Sequence, residues 1–289
     1  MNLPDLRILP LEDLLPHEHT DPRRVNPLIA RLRDESMLRN PPIAAPMGQA
    51  DARFVVLDGA NRTAAFHALG MPHILAQVVP YERVQLNTWH HVITQCDGPN
   101  LIAQLDALPD MQLCEVDLMR ARAMLARREA IAFVSMDDGV REAEPTSPVS
   151  CPPSSVIALC VSADAPSRRT ELLHRLVDLY EGCAKVQRTT TDNIADARTA
   201  FPDASAIVVF PRYEPAEIID LVRNGQKVPA GITRHVLPLR ALRLNYPMEI
   251  LRSADPLSQK QAHLSEWIYE RTQNRQVRTY NEPTVLFDE

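Results

Sequence analysis

Residues 54–64 read Phe54-Val-Val-Leu-Asp-Gly-Ala-Asn-Arg-Thr-Ala64. The apolar run Phe54 to Leu57 predicts a buried strand. Asp58-Gly59 predicts a sharp turn, because glycine reaches the positive φ that such a turn needs. A helix opens at about Asn61-Arg62, runs on through Ala64, Ala65, Phe66 and Leu69, and stops at Gly70 ahead of Pro72. A helix start gathers unpaired backbone N–H groups and the positive end of the dipole at one point, which favours an anion. Asn61, Arg62 and the carboxylate of Asp58 all stand at that point. Arg62 is able to clamp a phosphate with its fork of N–H groups, and Asp58 to hold a metal ion or a hydroxyl. The same strand–turn–helix run also occurs in α/β domains where Gly59 merely permits the turn, so the run by itself leaves both readings open.

Working outward, strands and helices alternate on both sides, which predicts an α/β (α+β) chain. A short strand within 7–15 is followed by a polar loop, Pro16 to Pro22. A helix is expected with Asn26 as N-cap and Pro27 at the first helical position, ended by Pro41-Pro42. Strands follow at 43–45 and 74–79, helices around 84–95, 98–107 and 115–127, and a strand at 129–135. Residues 136–155 hold Pro145, Pro148, Pro152 and Pro153 among Ser and Thr, which predicts a loop and a domain boundary. Beyond it come a strand at 156–161, helices at 168–180 and 192–200, a strand at 206–210 and a helix at 215–223. Strands at 232–237 and 240–245, a helix at 258–272 and an extended end complete the chain. The resulting division is a nucleotide-binding unit over 1–95, a helical connector over 96–135, the loop, and an α/β unit over 156–289 that shares one cleft with the first.

Composition narrows the function. The 289 residues are 45% apolar and 24% charged, with a net charge of −6, which suits a globular chain and argues against a nucleic-acid partner. No run of about 18 apolar residues predicts a membrane span, and Met1-Asn-Leu-Pro-Asp lacks a signal pattern. Cys96, Cys114, Cys151, Cys160 and Cys183 are odd in number and never spaced as CxxC, so reduced thiols in a cytoplasmic protein are expected. A homodimer is compatible with all of this. The three lysines are Lys185, Lys227 and Lys260, so no Gly-Lys-Ser/Thr phosphate loop exists. Nucleotide chemistry near residue 60 would rest on Arg, backbone N–H groups and a metal ion.

Three further stretches carry chemistry. Glu18, after Pro16-His17, is a carboxylate able to act as general base toward a hydroxyl, or else a solvated loop acid. Trp89, in Trp89-His90-His91, offers a face for a base or a small substrate, or fills a core; the two histidines would point to different sides of a helix and do not read as a metal pair. In Gly231-Ile-Thr-Arg-His235, a strand would put Thr233 and His235 on one face and Arg234 on the other. Thr233 and His235 would then bind one ligand together, or lie on the outer face of an edge strand.

Taken together, Pro16-His-Glu18, Asn40-Pro41, Leu57-Asp-Gly-Ala-Asn-Arg62, Trp89-His90 and Gly231-Ile-Thr-Arg-His235 resemble the free L-serine kinases of the ParB/sulfiredoxin-like superfamily, some of which act in siderophore precursor synthesis. The resemblance covers 7–95 well and 206–246 fairly. It implies phosphoryl transfer from ATP or ADP, with Mg²⁺, to the hydroxyl of L-serine, giving O-phospho-L-serine. It further implies Glu18 as base, Asp58 as ligand to the hydroxyl or Mg²⁺, and Gly59, Ala60, Asn61 and Arg62 as the phosphate turn. Thr233, Arg234 and His235 would bind serine, with Trp89 shaping its pocket. Members of the family commonly carry His where this chain has Asn61. The DG-x-x-R element is also shared with nucleotide-binding ParB-like regulators that lack kinase activity, which is the alternative reading. A sulfiredoxin-like reductase would need a Cys at the turn, where Ala60 and Asn61 stand.

Overall fold

The computed structural model describes residues 3–96, 98–136, 156–161, 166–182 and 184–280. The first part of the chain runs β1 (Asp5–Pro10), β2 (Leu14–Pro16), α1 (Pro22–Asp34), β3 (Met37–Leu38), β4 (Ile43–Pro46), β5 (Phe54–Asp58), α2 (Ala60–Ala68), β6 (His73–Val78), β7 (Gln85–Thr88) and β8 (His90–Thr94). Next come α3 (Gly98–Asp106), β9 (Met111–Val116), α4 (Leu118–Ala126), β10 (Ala130–Met136), β11 (Val156–Val161), α5 (Pro166–Glu181), β12 (Lys185–Thr189), α6 (Ile194–Ala200), β13 (Ala204–Val209) and α7 (Pro215–Arg223). The last elements are β14 (Thr233–Val236), β15 (Tyr246–Pro247), α8 (Met248–Arg252) and α9 (Leu257–Gln273).

Two sheets organise these elements. The first is mixed, in the order β1-β6-β4-β5-β2, and the second is six-stranded and antiparallel, in the order β12-β8-β13-β10-β11-β9. Side chains alternate across a strand, and β5 uses both faces. Val56 joins the core formed with Phe66 of α2, Leu32 of α1, Leu251 of α8 and Leu264 of α9. Val55 and Leu57 turn the other way, into a core shared with Ile93, Ile131, Leu159 and Val208 of the second sheet and with α5 and α7. The outer face of the second sheet is closed by α4 and α6, through Leu125 and Ala197. The two sheets therefore share an apolar layer, and the ribbon of β7 and β14 runs along it.

The strand–turn–helix run forms as its sequence predicts, with Gly59 at φ +92° as N-cap of α2 and Gly70 at φ +65° past its end. Elsewhere the structure corrects the expectation. The first helix starts at Pro22 and not at Pro27: Asp21 caps it by accepting the Arg23 N–H at 2.9 Å, and Pro27 lies inside it. Residues 84–95 form two strands instead of a helix, because Thr88, Val92, Ile93 and Thr94 are β-branched and each strand has a core to face. Residues 96–135, expected as a helical connector, supply β9 and β10 to the second sheet. Segment 240–245 is not a strand, and Arg243 and Asn245 sit at positive φ there. The expected Pro/Ser-rich loop lies outside the described residues from 137 to 155, as do Cys151, Cys183 and the tail from 281. No helix among the described residues is long and apolar enough to cross a membrane.

Candidate active site

The turn between β5 and α2 is built around a glycine that nothing else replaces. A Cβ on Gly59 would stand 2.9 Å from Pro42 Cβ and 3.0 Å from Pro42 Cα, a clash added to the strain of a positive φ. The same position is 3.5 Å from Arg62 Nη1, so Arg62 folds back over the turn. No side chain caps α2, and its first N–H groups lack intrahelical partners. Arg62 also lines a concavity of about 200 Å³ with Arg31, Glu35, Arg39 and Asn40. Arg31 at the end of α1 and Arg39 after β3, the latter 3.7 Å from Glu35, bring two more guanidinium groups to the concavity beside Arg62, a surrounding suited to phosphates. Asn61 turns elsewhere: its Oδ1 accepts the Asp21 N–H at 3.3 Å and ties α2 to the start of α1. Asp58 is half exposed and forms an ion pair with Arg240.

Glu18 and its neighbours are held by pairing across the chain. Val228 N–H donates to the His17 carbonyl at 2.9 Å, and His19 N–H to the Val228 carbonyl at 3.1 Å. His17 is buried, with Nδ1 2.6 Å from the Val56 carbonyl and Nε2 2.6 Å from Thr233 Oγ1. A carbonyl only accepts, so Nδ1 carries the proton and Nε2 accepts from the Thr233 hydroxyl. The lone pairs of Thr233 are then left to accept from a ligand. The His235 ring meets His17 edge-on at 4.9 Å, and its Nε2 lies 2.9 Å from the Tyr81 hydroxyl. Burial pushes His235 down to about 3, with the His17 charge adding to the effect and a backbone hydrogen bond to Leu57 opposing it. Burial also lowers His17, against the pull of Glu18. Both rings are neutral at pH 7.

Glu18 itself is half-buried, and its Oε2 accepts the Gly231 N–H at 3.0 Å. Its Oε1 has no hydrogen-bond partner among the described residues. Gly231 is fastened on its other side too: its carbonyl lies 3.3 Å from His91 Nε2, and His91 Nδ1 is 2.6 Å from the Tyr180 hydroxyl. The Gly231 loop is thereby moored to β8 and α5 of the second sheet, while Glu18 is moored to the first.

The structure brings some of the expected residues together and parts others. Glu18, Thr233 and His235 meet around His17, whose Nδ1 partner, Val56, is two residues before Asp58 on β5. The turn Asp58–Arg62 adjoins them through that strand. Arg234 lies on the other face of the ribbon: it pairs in register with Asn87, as Thr233 does with Thr88. Its guanidinium stacks over the Trp89 ring at 4.5 Å, and it borders a separate cleft of about 740 Å³ with His90, Arg122 and Asp192. Among the described residues no group of three or more His, Cys, Asp or Glu is placed to hold a metal ion. Tyr81, Arg31, Arg39 and Arg240 also border these groups, and His17 stands out in the sequence only within Pro16-His-Glu18. None carries a local signal, since each gains its place from elements distant in the chain.

No protein-family model matches the chain. It is 22% identical over 287 residues to the ATP-dependent L-serine kinase SbnI of Staphylococcus aureus, covering 98% of this chain and 97% of that one. It is 34% identical over 88 residues to an ATP-dependent L-serine kinase of Staphylothermus marinus, covering 30% of this chain and 34% of the relative. Among solved structures, SbnI with a C-terminal truncation from Staphylococcus aureus superposes with a TM-score of 0.71 at 18% identity, over 92% of this chain and 97% of that one. A free serine kinase in complex with AMP superposes with a TM-score of 0.68 at 17% identity, over 86% and 95%. These likenesses establish the mixed α/β fold, and the chain is a relative of proteins named as ATP-dependent L-serine kinases.

Proposed function

We infer that this chain is a kinase that transfers a phosphoryl group from ATP or ADP to the hydroxyl of free L-serine, giving O-phospho-L-serine. One observation carries the reading: Glu18, Thr233 and His235 converge beside the uncapped, arginine-rich start of α2. The named relatives support it, as do structural neighbours that bind AMP and, in a variant, ADP.

Phosphoryl transfer needs positioning, charge neutralisation and one base. The nucleotide phosphates would lie at the Gly59–Arg62 turn, neutralised by Arg62 with Arg31 and Arg39 beside it. The open Oε1 of Glu18 would take the serine hydroxyl proton as the oxygen–phosphorus bond forms and the bond to the leaving nucleotide oxygen breaks. Thr233 would accept from the serine ammonium, while His235 and His17, both neutral, keep Thr233 in place. Mg²⁺ commonly binds through one or two carboxylates plus substrate phosphates, and the half-exposed Asp58 fits that mode, with Arg240 giving way. Trp89 and Arg234 stack on the far side of the ribbon, beside the separate cleft, so they would support the ribbon and not contact the serine directly.

The test is direct. Protein, L-serine and Mg²⁺ are incubated with ATP or with ADP, and phosphoserine is sought by mass spectrometry. Product with either nucleotide supports the reading; product no higher than in a protein-free control removes it.

A further inference from the structure

Arg188 lies in β12, opposite His91 of β8, and its side chain is partly exposed. Its guanidinium rests on Gly231: a Cβ built there would fall 2.5 Å from Cζ and 2.6 Å from Nε. Gly231 is also the donor to Glu18. The candidate base and an arginine therefore meet on one glycine, and only a residue without a side chain lets them do so. No carboxylate lies within ion-pair distance of Arg188 among the described residues. Partial burial lowers its pKa most, and Glu18, Arg24 and Glu181 act on it at longer range.

A partly buried guanidinium with no ion pair among the described residues, beside the base and backed by bare backbone, is a receptor for an anion. We propose that Arg188 binds the α-carboxylate of the amino-acid substrate, and so selects a free amino acid over an amide or peptide; this rests on the kinase reading. A carboxylate fits better than a phosphate for two reasons. The planar fork of Arg matches two carboxylate oxygens. The phosphates have their own corner on α2, which belongs to the first sheet, whereas Arg188 reaches in from the second. With the hydroxyl at Glu18 and the ammonium at Thr233, Arg188 supplies the third point of attachment.

The experiment compares L-serine with L-serinamide, which keeps the hydroxyl and the ammonium and lacks the carboxylate charge. In the wild type L-serine is the better substrate. Arg188→Met should lower kcat/KM for L-serine by between about tenfold and a hundredfold, through KM. It should leave serinamide turnover and nucleotide affinity by calorimetry unchanged, and Arg188→Lys should recover part of the loss. An equal fall for both substrates, or an unchanged preference, overturns the assignment while leaving the kinase intact. A wild type that forms no phosphoserine overturns the kinase reading itself, and Arg188 loses its ligand with it.

Discussion

Glu18 keeps one carboxylate oxygen bonded to Gly231 and the other open, which is the arrangement a positioned base needs. Glu18→Gln can still accept the Gly231 N–H but cannot take a proton. Phosphoserine formation should fall by about 10²-fold or more, with nucleotide affinity by calorimetry within about twofold; full turnover in that variant would remove Glu18 as base. Arg62→Ala should weaken nucleotide binding by about ten- to a hundredfold, the range for a charge-assisted contact, and an unchanged isotherm would take Arg62 out of the phosphate corner. Thr233→Val keeps the shape but loses the hydroxyl given to His17. The KM for serine should rise while nucleotide affinity stays put, and the reverse split would move Thr233 to the nucleotide side. At this scale much was legible. The positive φ of Gly59 is declared by Asp-Gly after an apolar run, and Thr233 parts from Arg234 by strand alternation alone. Arg188 was not legible, because Val-Gln-Arg-Thr says nothing until Gly231 is folded against it.

Elements were read best where the local signal had no rival. Gly59 and Gly70 bracket α2 in the sequence as in the structure. At α1 two Asx/Pro starts compete, Asp21-Pro22 and Asn26-Pro27, and the first prevails because it adds a turn while Leu28, Ile29 and Leu32 still reach the core. Pro27 is then an interior proline. It offers no N–H to the carbonyl one turn back and crowds it, at a cost of about 3 kcal/mol, partly offset by a stiffer unfolded chain. Pro27→Ala should raise the melting temperature by several degrees, about 2–4 °C per kcal/mol in a chain of this size; a fall would mean that the ring fills a contact worth more than the missing bond. The strands β7 and β8 read as a helix in the sequence for a different reason. Leu86, Trp89 and Ile93 fit a helical spacing, and only the presence of a sheet edge and a partner in β14 settles the matter. Such partners are invisible to a local reading.

At the scale of the molecule, two sheets share one apolar layer and the site lies along their join. That join carries histidines whose burial holds them neutral. His91 is pushed down to about 4, chiefly by burial, from an unfolded value of about 6.5. A base depressed in the folded state contributes stability that is complete above the unfolded value and lost as pH falls from there toward the folded one. By pH 5 His91 alone should cost about 2 kcal/mol relative to pH 7, and the lowered His17 acts in the same direction. The melting temperature should therefore drop between pH 7 and 5, and His91→Gln should flatten that slope; a flat wild-type profile would show these rings to be hydrated. The mooring of Glu18 to Gly231 and of His17 to Thr233 spans 213 and 216 positions of sequence. A ribosome that has emitted only the first sheet's leading strands has made Glu18 and His17 but neither the Gly231 N–H nor the Thr233 hydroxyl that holds them. The site is therefore assembled late in synthesis and all at once, and a prematurely released chain carries a carboxylate and an imidazole with nothing to aim them.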